Sequence, residues 1–210
     1  MSPPEGPRRF AGHIAGVGST SGVRVVLGRW HDTPLGPFAD AMVERADGHR
    51  VLLAPRQEVA HFIAGTYTFD EVRVEPFAVS PAGPHGVRRG ARWAVRSPSL
   101  TIDLEVGRRL PLGWLLRLVP APVATAPAWC AVTDPVARRV LRGVRTRGSA
   151  GGGREEFYGA TDTRAVVAAW GSFDGVDLGA LAPLDPPARF GFSSAPPRPS
   201  VTAVVTTVVG

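Results

Sequence analysis

The chain has no lysine, no asparagine and a single cysteine in 210 residues. Without lysine no Schiff base can form on a side-chain amine and no pyridoxal cofactor can be anchored. A G-x-x-x-x-G-K-[ST] phosphate loop is excluded for the same reason. All 24 basic residues are Arg, which together with the abundance of Ala, Gly and Pro reads as codon choice in a GC-rich genome as much as side-chain chemistry. The lone Cys130 excludes an internal disulfide and fits a reducing compartment. The opening MSPPEGPRRF carries an acid and three prolines where a signal peptide needs a basic end and an apolar run. Residues 1–10 are therefore expected to be a disordered leader, residues 11–210 one domain, and the location cytoplasmic.

What is present reads as short strands. Val23 to Trp30 is β-branched, and Gly12 to Gly22 is a glycine-rich stretch that reads as a frayed strand and turn. Phe38 to Arg45 and His49 to Ala54 flank Asp47-Gly48, which predicts a two-residue type I′ hairpin with Val43 opposite Leu52 and Met42 opposite Leu53. Arg56 to Ala64 has Val59, Phe62 and Ile63 at helical spacing. Asp70 to Val79 is a strand interrupted by Pro76, and Pro81 to Gly90 a polar loop. Arg92 to Arg96 pairs with Leu100 to Val106, where Leu100, Ile102, Leu104 and Val106 alternate with Thr101, Asp103 and Glu105. Ala165 to Trp170, Ala188 to Ser194 and Val201 to Val209 read as further strands, with Asp174-Gly175 as a turn.

Leu110 to Val132 is the most hydrophobic run, but Arg117 and four prolines argue against a membrane span. It is expected to cap the core with one short helix, Leu112 to Val119, and to bury Leu112, Leu115, Leu116 and Leu118. Asp134-Pro135 is expected to start a helix as N-cap and N1, with Gly143 ending it. The fold class is then α+β and β-rich: one domain with an antiparallel barrel or strongly curved sheet and two or three short helices.

Motifs of known chemistry are missing. The five histidines carry no H-x-H or H-E-x-x-H spacing, and no metal or other cofactor is expected. Cys130 sits between Trp129 and Ala131 and reads as a small buried hydrophobe. Ser19-Thr20-Ser21 does not match a nucleophile elbow, and Gly16, Gly18 and Gly22 miss the dinucleotide fingerprint by one position. Trp30-His31-Asp32 reads as a solvated loop, because strand neighbours point to opposite faces.

The densest set of useful groups is Gly143 to Asp162. There Arg145, Arg147, Arg154, Glu155 and Tyr158 surround a Ser-Ala-Gly-Gly-Gly hinge and form the candidate ligand site. An Arg fork suits a carboxylate or phosphate, and a barrel with a few inward polar groups is a usual place for a small ligand. The rival reading is a charged hairpin with Arg145 and Arg147 paired to Glu155 and Asp162. A net charge of +6 raises nucleic acid as a partner, but the arginines are spread from Arg8 to Arg198 without an aromatic-interleaved motif.

The run Thr33-Pro34-Leu35-Gly36-Pro37-Phe38, followed by a strand, Asp47-Gly48 and another strand, resembles an early stretch of acetoacetate-decarboxylase-like proteins, which fold as ligand-holding β-barrels. That family's decarboxylation depends on a Schiff-base Lys, so the resemblance implies the barrel and not the reaction. The sequence therefore reads as a β-barrel-like protein binding a small, partly apolar, anionic molecule, with catalysis and oligomeric state open. The alternatives are a non-catalytic protein-interaction domain and a weak nucleic-acid binder through Arg patches.

Overall fold

The computed structural model describes residues 6–80, 87–140 and 143–210. Pro81 to Gly86 of the expected polar loop, Leu141 and Arg142 before Gly143, and residues 1–5 of the expected leader lie outside them. The strands are β1 (Arg8–Ser19), β2 (Arg24–Asp32), β3 (Phe38–Glu44), β4 (Arg50–Ala54), β5 (Glu71–Val74), β6 (Ala78–Ser80), β7 (Arg92–Arg96), β8 (Leu100–Arg109), β9 (Arg147–Ala150), β10 (Arg154–Phe173), β11 (Val176–Asp177), β12 (Leu181–Ala182) and β13 (Ser200–Val209). Among the described residues the helices are α1 (Gln57–Ala64), α2 (Pro111–Leu116), α3 (Ala121–Ala124) and α4 (Pro127–Val140), four where two or three were expected.

Ten of the strands form one curled path, β5-β4-β3-β2-β1-β13-β10-β8-β7-β6. All its pairings are antiparallel except β4 with β5, which the crossover helix α1 joins in parallel. The curl brings the β5 end back to the other side of the sheet. Arg73 donates to Ser99 Oγ at 2.9 Å and pairs with Asp174, while Glu75 accepts from the Ser99 hydroxyl at 2.7 Å. The fold is thus a strongly curved half-barrel in a single β-rich α+β domain.

Alternation sorts each strand between two faces. The concave face holds the larger core: Ala15, Val17, Val25, Leu27, Val43, Leu53, Trp93, Val95, Leu100, Ile102, Leu104, Val106 and Val201. The buried and wet positions of β8 follow the alternation read from its sequence. The convex face is covered by α1 and by residues 184–195, around Phe10, Phe38, Leu52, Val59, Ile63, Leu184 and Phe190. Helices α2, α3 and α4 lie in file along β10 and cover one end of the concave face.

Several expectations change. Arg8, Arg9 and Phe10, read as leader, pair with Val208, Thr207 and Thr206. The glycine-rich stretch is the interior of a central strand of 12 residues. Its Gly12 lies under Trp30, whose ring a Cβ would meet at 2.8 Å. The β3–β4 hairpin forms with a register one residue away from the expected one: Val43 opposes Val51, and Met42 opposes Leu52. The cause is the loop. Only Gly48 has positive φ, Gly48 N–H bonds to Arg45 O, and Arg45 N–H bonds to His49 O, so three residues turn instead of two. The two-residue turn with positive φ at both positions occurs at Asp174-Gly175, between β10 and β11. Residues 188–194 hold only an isolated bridge, Arg189 with Ser194, and no strand.

Asp134 does not cap a helix. Helix α4 begins at Pro127 and runs through Pro135. Asp134 turns inward, where its Oδ1 accepts from the backbone N–H of Thr146 at 2.9 Å and of Arg147 at 3.2 Å, and the carboxylate pairs with Arg145. Burial pushes its pKa up, but the bonds from Arg145, Thr146 and Arg147 outweigh it and hold the carboxyl below its ordinary value. Replacing Asp134 by Ala strands two amides and a guanidinium. It should cost about 3 kcal/mol in urea unfolding, with Asp134→Asn costing clearly less; equal losses would contradict the role.

The leucine run is also corrected. Leu115 is 62% and Leu118 79% exposed, while Leu112 and Leu116 are partly buried. Helix α2 packs on β10 through Gly113 and turns Trp114 and Leu115 outward. Among the described residues no helix is long and apolar enough to cross a membrane.

Candidate functional site

The residues singled out in sequence are not gathered into one site. Arg147 pairs with Glu155 at 2.7 Å, with both side chains about half exposed. Arg145 pairs with Asp134. Arg154 turns back onto Gly151 O and Gly65 O, with its guanidinium 5.5 Å from the Phe62 ring centre. Alternation sends Tyr158 to the convex side, where it stacks on Phe192 at 5.2 Å.

Tyr158 belongs to a buried cluster centred on Glu156, which lies outside the five candidate site residues. Tyr67 donates from its hydroxyl to Glu156 Oε1 at 2.6 Å, and the two phenol oxygens lie 2.7 Å apart. Glu156 is 2% exposed, and its Oε2 has no hydrogen-bond partner among the described residues. Burial raises its pKa to about 7, against the opposing bonds from Tyr67 and Tyr158 and the charge of Arg154. A second buried acid, Asp40, accepts from the Trp30 indole at 2.9 Å and is likewise raised to about 7 by burial. Both clusters are closed over by packed side chains.

A third polar cluster lies on the concave face, its side chains mostly buried. Cross-strand register places Arg29 of β2 opposite His13 of β1, His13 opposite Ala203 of β13, and Ala203 opposite Asp162 of β10. Residues directly opposite in an antiparallel ladder share a face, so these four form one transverse row. Arg164, two positions beyond Asp162, lies on the same face opposite Arg109 of β8. Arg109 grips Asp162 with two bonds, Nε to Oδ1 at 2.8 Å and Nη2 to Oδ2 at 2.9 Å. Arg164 Nε stands 3.7 Å from the same carboxylate and is a buried atom without a hydrogen-bond partner among the described residues.

Beside it the guanidinium of Arg29 lies 5.1 Å over the ring of Trp93, and the His13 and Trp93 rings stand edge-to-face with their centres 6.2 Å apart. Burial, followed by the charges of Arg29 and His31, lowers the pKa of His13 to about 4 against the pull of Asp162, so its imidazole is neutral at pH 7. His13 Nδ1 is buried and has no hydrogen-bond partner among the described residues. Ala11, Ala203 and Val205 are partly exposed, although they sit in the middle of a central strand pair. Exposed His31, 6.0 Å from His13, marks where the row meets solvent.

These groups together with the partly exposed Ala11, Ala203 and Val205 make up the trough: three guanidiniums, one carboxylate and a neutral imidazole beside small apolar side chains. Of the five histidines, taken as scattered in sequence, His13 and His31 come together. No group of three His, Cys, Asp or Glu among the described residues could hold a metal ion. Cys130 is buried, and burial raises its pKa, which leaves it a thiol rather than a nucleophile. Of the arginines on β7, Arg96 bonds Asp103 at 2.8 Å and Arg92 lies over Trp170, whereas Arg138 and Arg139 of α4 are exposed.

The class that the fold defines is a curled β half-barrel. No family model, no curated protein and no solved structure matches this chain.

Proposed function

We propose that the chain binds a small anion with an apolar body in the concave trough. The supporting observation is that Arg109 and Arg164 share the single carboxylate of Asp162. Arg109 takes both oxygens, so Arg164 keeps a charge and a buried N–H without a hydrogen-bond partner among the described residues, on the same face as the partly exposed Ala203. A guanidinium removed from water without full pairing is costly, and a ligand carboxylate or phosphate relieves that cost with bidentate bonds. Neutral His13 adds a ring nitrogen beside the anion without adding charge. Ala11, Ala203 and Val205 give an alkyl or aryl body its contacts. The electrostatics favour anions over cations.

Phenylacetate, octanoate and phenyl phosphate serve as probes in isothermal titration. Wild type should bind at least one of them, and Arg164→Met should weaken it at least about tenfold, since a charge-assisted bond is worth about 1.5–3 kcal/mol. The fold should survive, because Arg109 still neutralises Asp162. Ala203→Leu, which fills the trough, should abolish binding with little change in melting temperature. Binding that ignores both substitutions would contradict the site.

A further inference from the structure

We propose that the outer face of α2, α3 and α4 docks on the surface of an anionic phospholipid bilayer. The three helices lie in file on one face of β10, so the side chains they turn away from it share one outer surface. That surface carries Trp114, Leu115, Leu118, Trp129, Val132 and Val136, and the last two are 70% and 62% exposed. On α4 the division is helical: Cys130, Asp134 and Ala137 are buried, and Trp129, Val132, Val136 and Arg139 are exposed. A monomer seldom leaves so many large apolar groups in water unless something covers them.

The charges around the patch select the partner. From residue 107 to residue 154 the sequence has nine arginines and one acid, Asp134, and that acid is buried against Arg145. The exposed charges set among the apolar groups, Arg108, Arg117, Arg138 and Arg139, are thus all positive. A second copy of the chain would meet this face with the same guanidiniums and no acid to pair them, in an interface whose core should be poor in charge. An anionic headgroup layer meets both requirements. It takes Trp and Leu at the acyl boundary, and it lets the Arg stems lie along the apolar surface with their heads among phosphates. Arg109 stacks 4.5 Å over the Trp114 ring and so fixes the indole at the rim of the patch.

Flotation with vesicles of phosphatidylglycerol and phosphatidylcholine, against vesicles of phosphatidylcholine alone, tests this on the full chain. Wild type should float with the anionic vesicles and not with the neutral ones, and should detach as salt rises. Leu115→Gln/Leu118→Gln and, separately, Arg117→Gln/Arg138→Gln/Arg139→Gln should each lower partitioning at least tenfold. All five side chains are exposed, so unchanged circular dichroism is expected of both variants. Equal binding to both vesicle types, or no binding to either, would overturn the proposal. A dimer in sedimentation that Leu118→Gln dissociates, with no vesicle binding, would assign the face to a second copy instead.

Discussion

At pH 8 the Glu156→Gln variant should be more stable than wild type by on the order of 3 kcal/mol, and below pH 4 the two should be nearly equal. The acid is free to ionise near 4.5 in the unfolded chain but holds its proton to about 7 when buried beside Tyr67 and Tyr158. Between those values the folded state carries a proton that the unfolded state has lost. Stability therefore falls as pH rises through this window, and the full penalty is present above pH 7. Glutamine keeps an acceptor for the Tyr67 hydroxyl and removes the charge. Asp40, raised from 3.8 to about 7, adds a second loss in the same window. His13 acts in the opposite sense: its pKa falls from 6.5 to about 4, so its contribution grows as pH rises between those values. The wild-type curve sums these effects, whereas the difference between wild type and Glu156→Gln isolates one carboxyl. Urea unfolding at pH 4, 6 and 8 measures it. A variant less stable than wild type at pH 8 would mean that the carboxylate is ionised and satisfied in place.

Trp93→Ala should cost about 4 kcal/mol, as truncating a fully buried aromatic side chain does. Trp93 is the largest side chain of the concave core and is fully enclosed there. Its loss leaves a cavity bounded by strands that hydrogen bonding prevents from collapsing. The same indole carries the Arg29 guanidinium and the His13 edge, so the variant should also lose anion binding in the trough. Trp93→Phe keeps a ring at that place and should lose less than half as much stability. Chemical denaturation with titration of phenylacetate reads both effects. Trp93→Ala with near wild-type stability would show that the concave face is loosely packed.

Much of the fold was legible because its signals are local. The alternation in β8, the amphipathic spacing of α1 and the Asp174-Gly175 turn each lie within a dozen residues. Strand β1 was harder to read, because glycines interrupt its period and side chains from elsewhere press on them. The hairpin register depended on one dihedral: Asp47 stays at negative φ, and a turn longer by one residue moves Val43 from Leu52 to Val51. The trough was not legible. Its members sit at positions 13, 29, 109, 162, 164 and 203, and only the order β2-β1-β13-β10-β8 makes them neighbours. The charge density of Gly143 to Asp162 drew the reading there, yet strand alternation divides that stretch between an exposed pair, Arg147 with Glu155, and an enclosed acid at Glu156. Only Asp162, at its far end, enters the trough. Exposed Leu115 of α2 and Leu118 just beyond it show a different limit, because an apolar run does not say which of its sides the rest of the chain covers.

The most direct test of the trough is the imidazole resonances of His13 and His31, followed by NMR in histidine-labelled protein during titration with phenylacetate. The two rings stand 6.0 Å apart at the trough, whereas His49 pairs with Glu71 and His61 lies on α1, away from it. His13 and His31 should shift together and saturate at one dissociation constant, with His49 and His61 unmoved and the constant weakened by Arg164→Met. Shifts confined to His49 or His61, or none at saturating ligand, would contradict anion binding on the concave face.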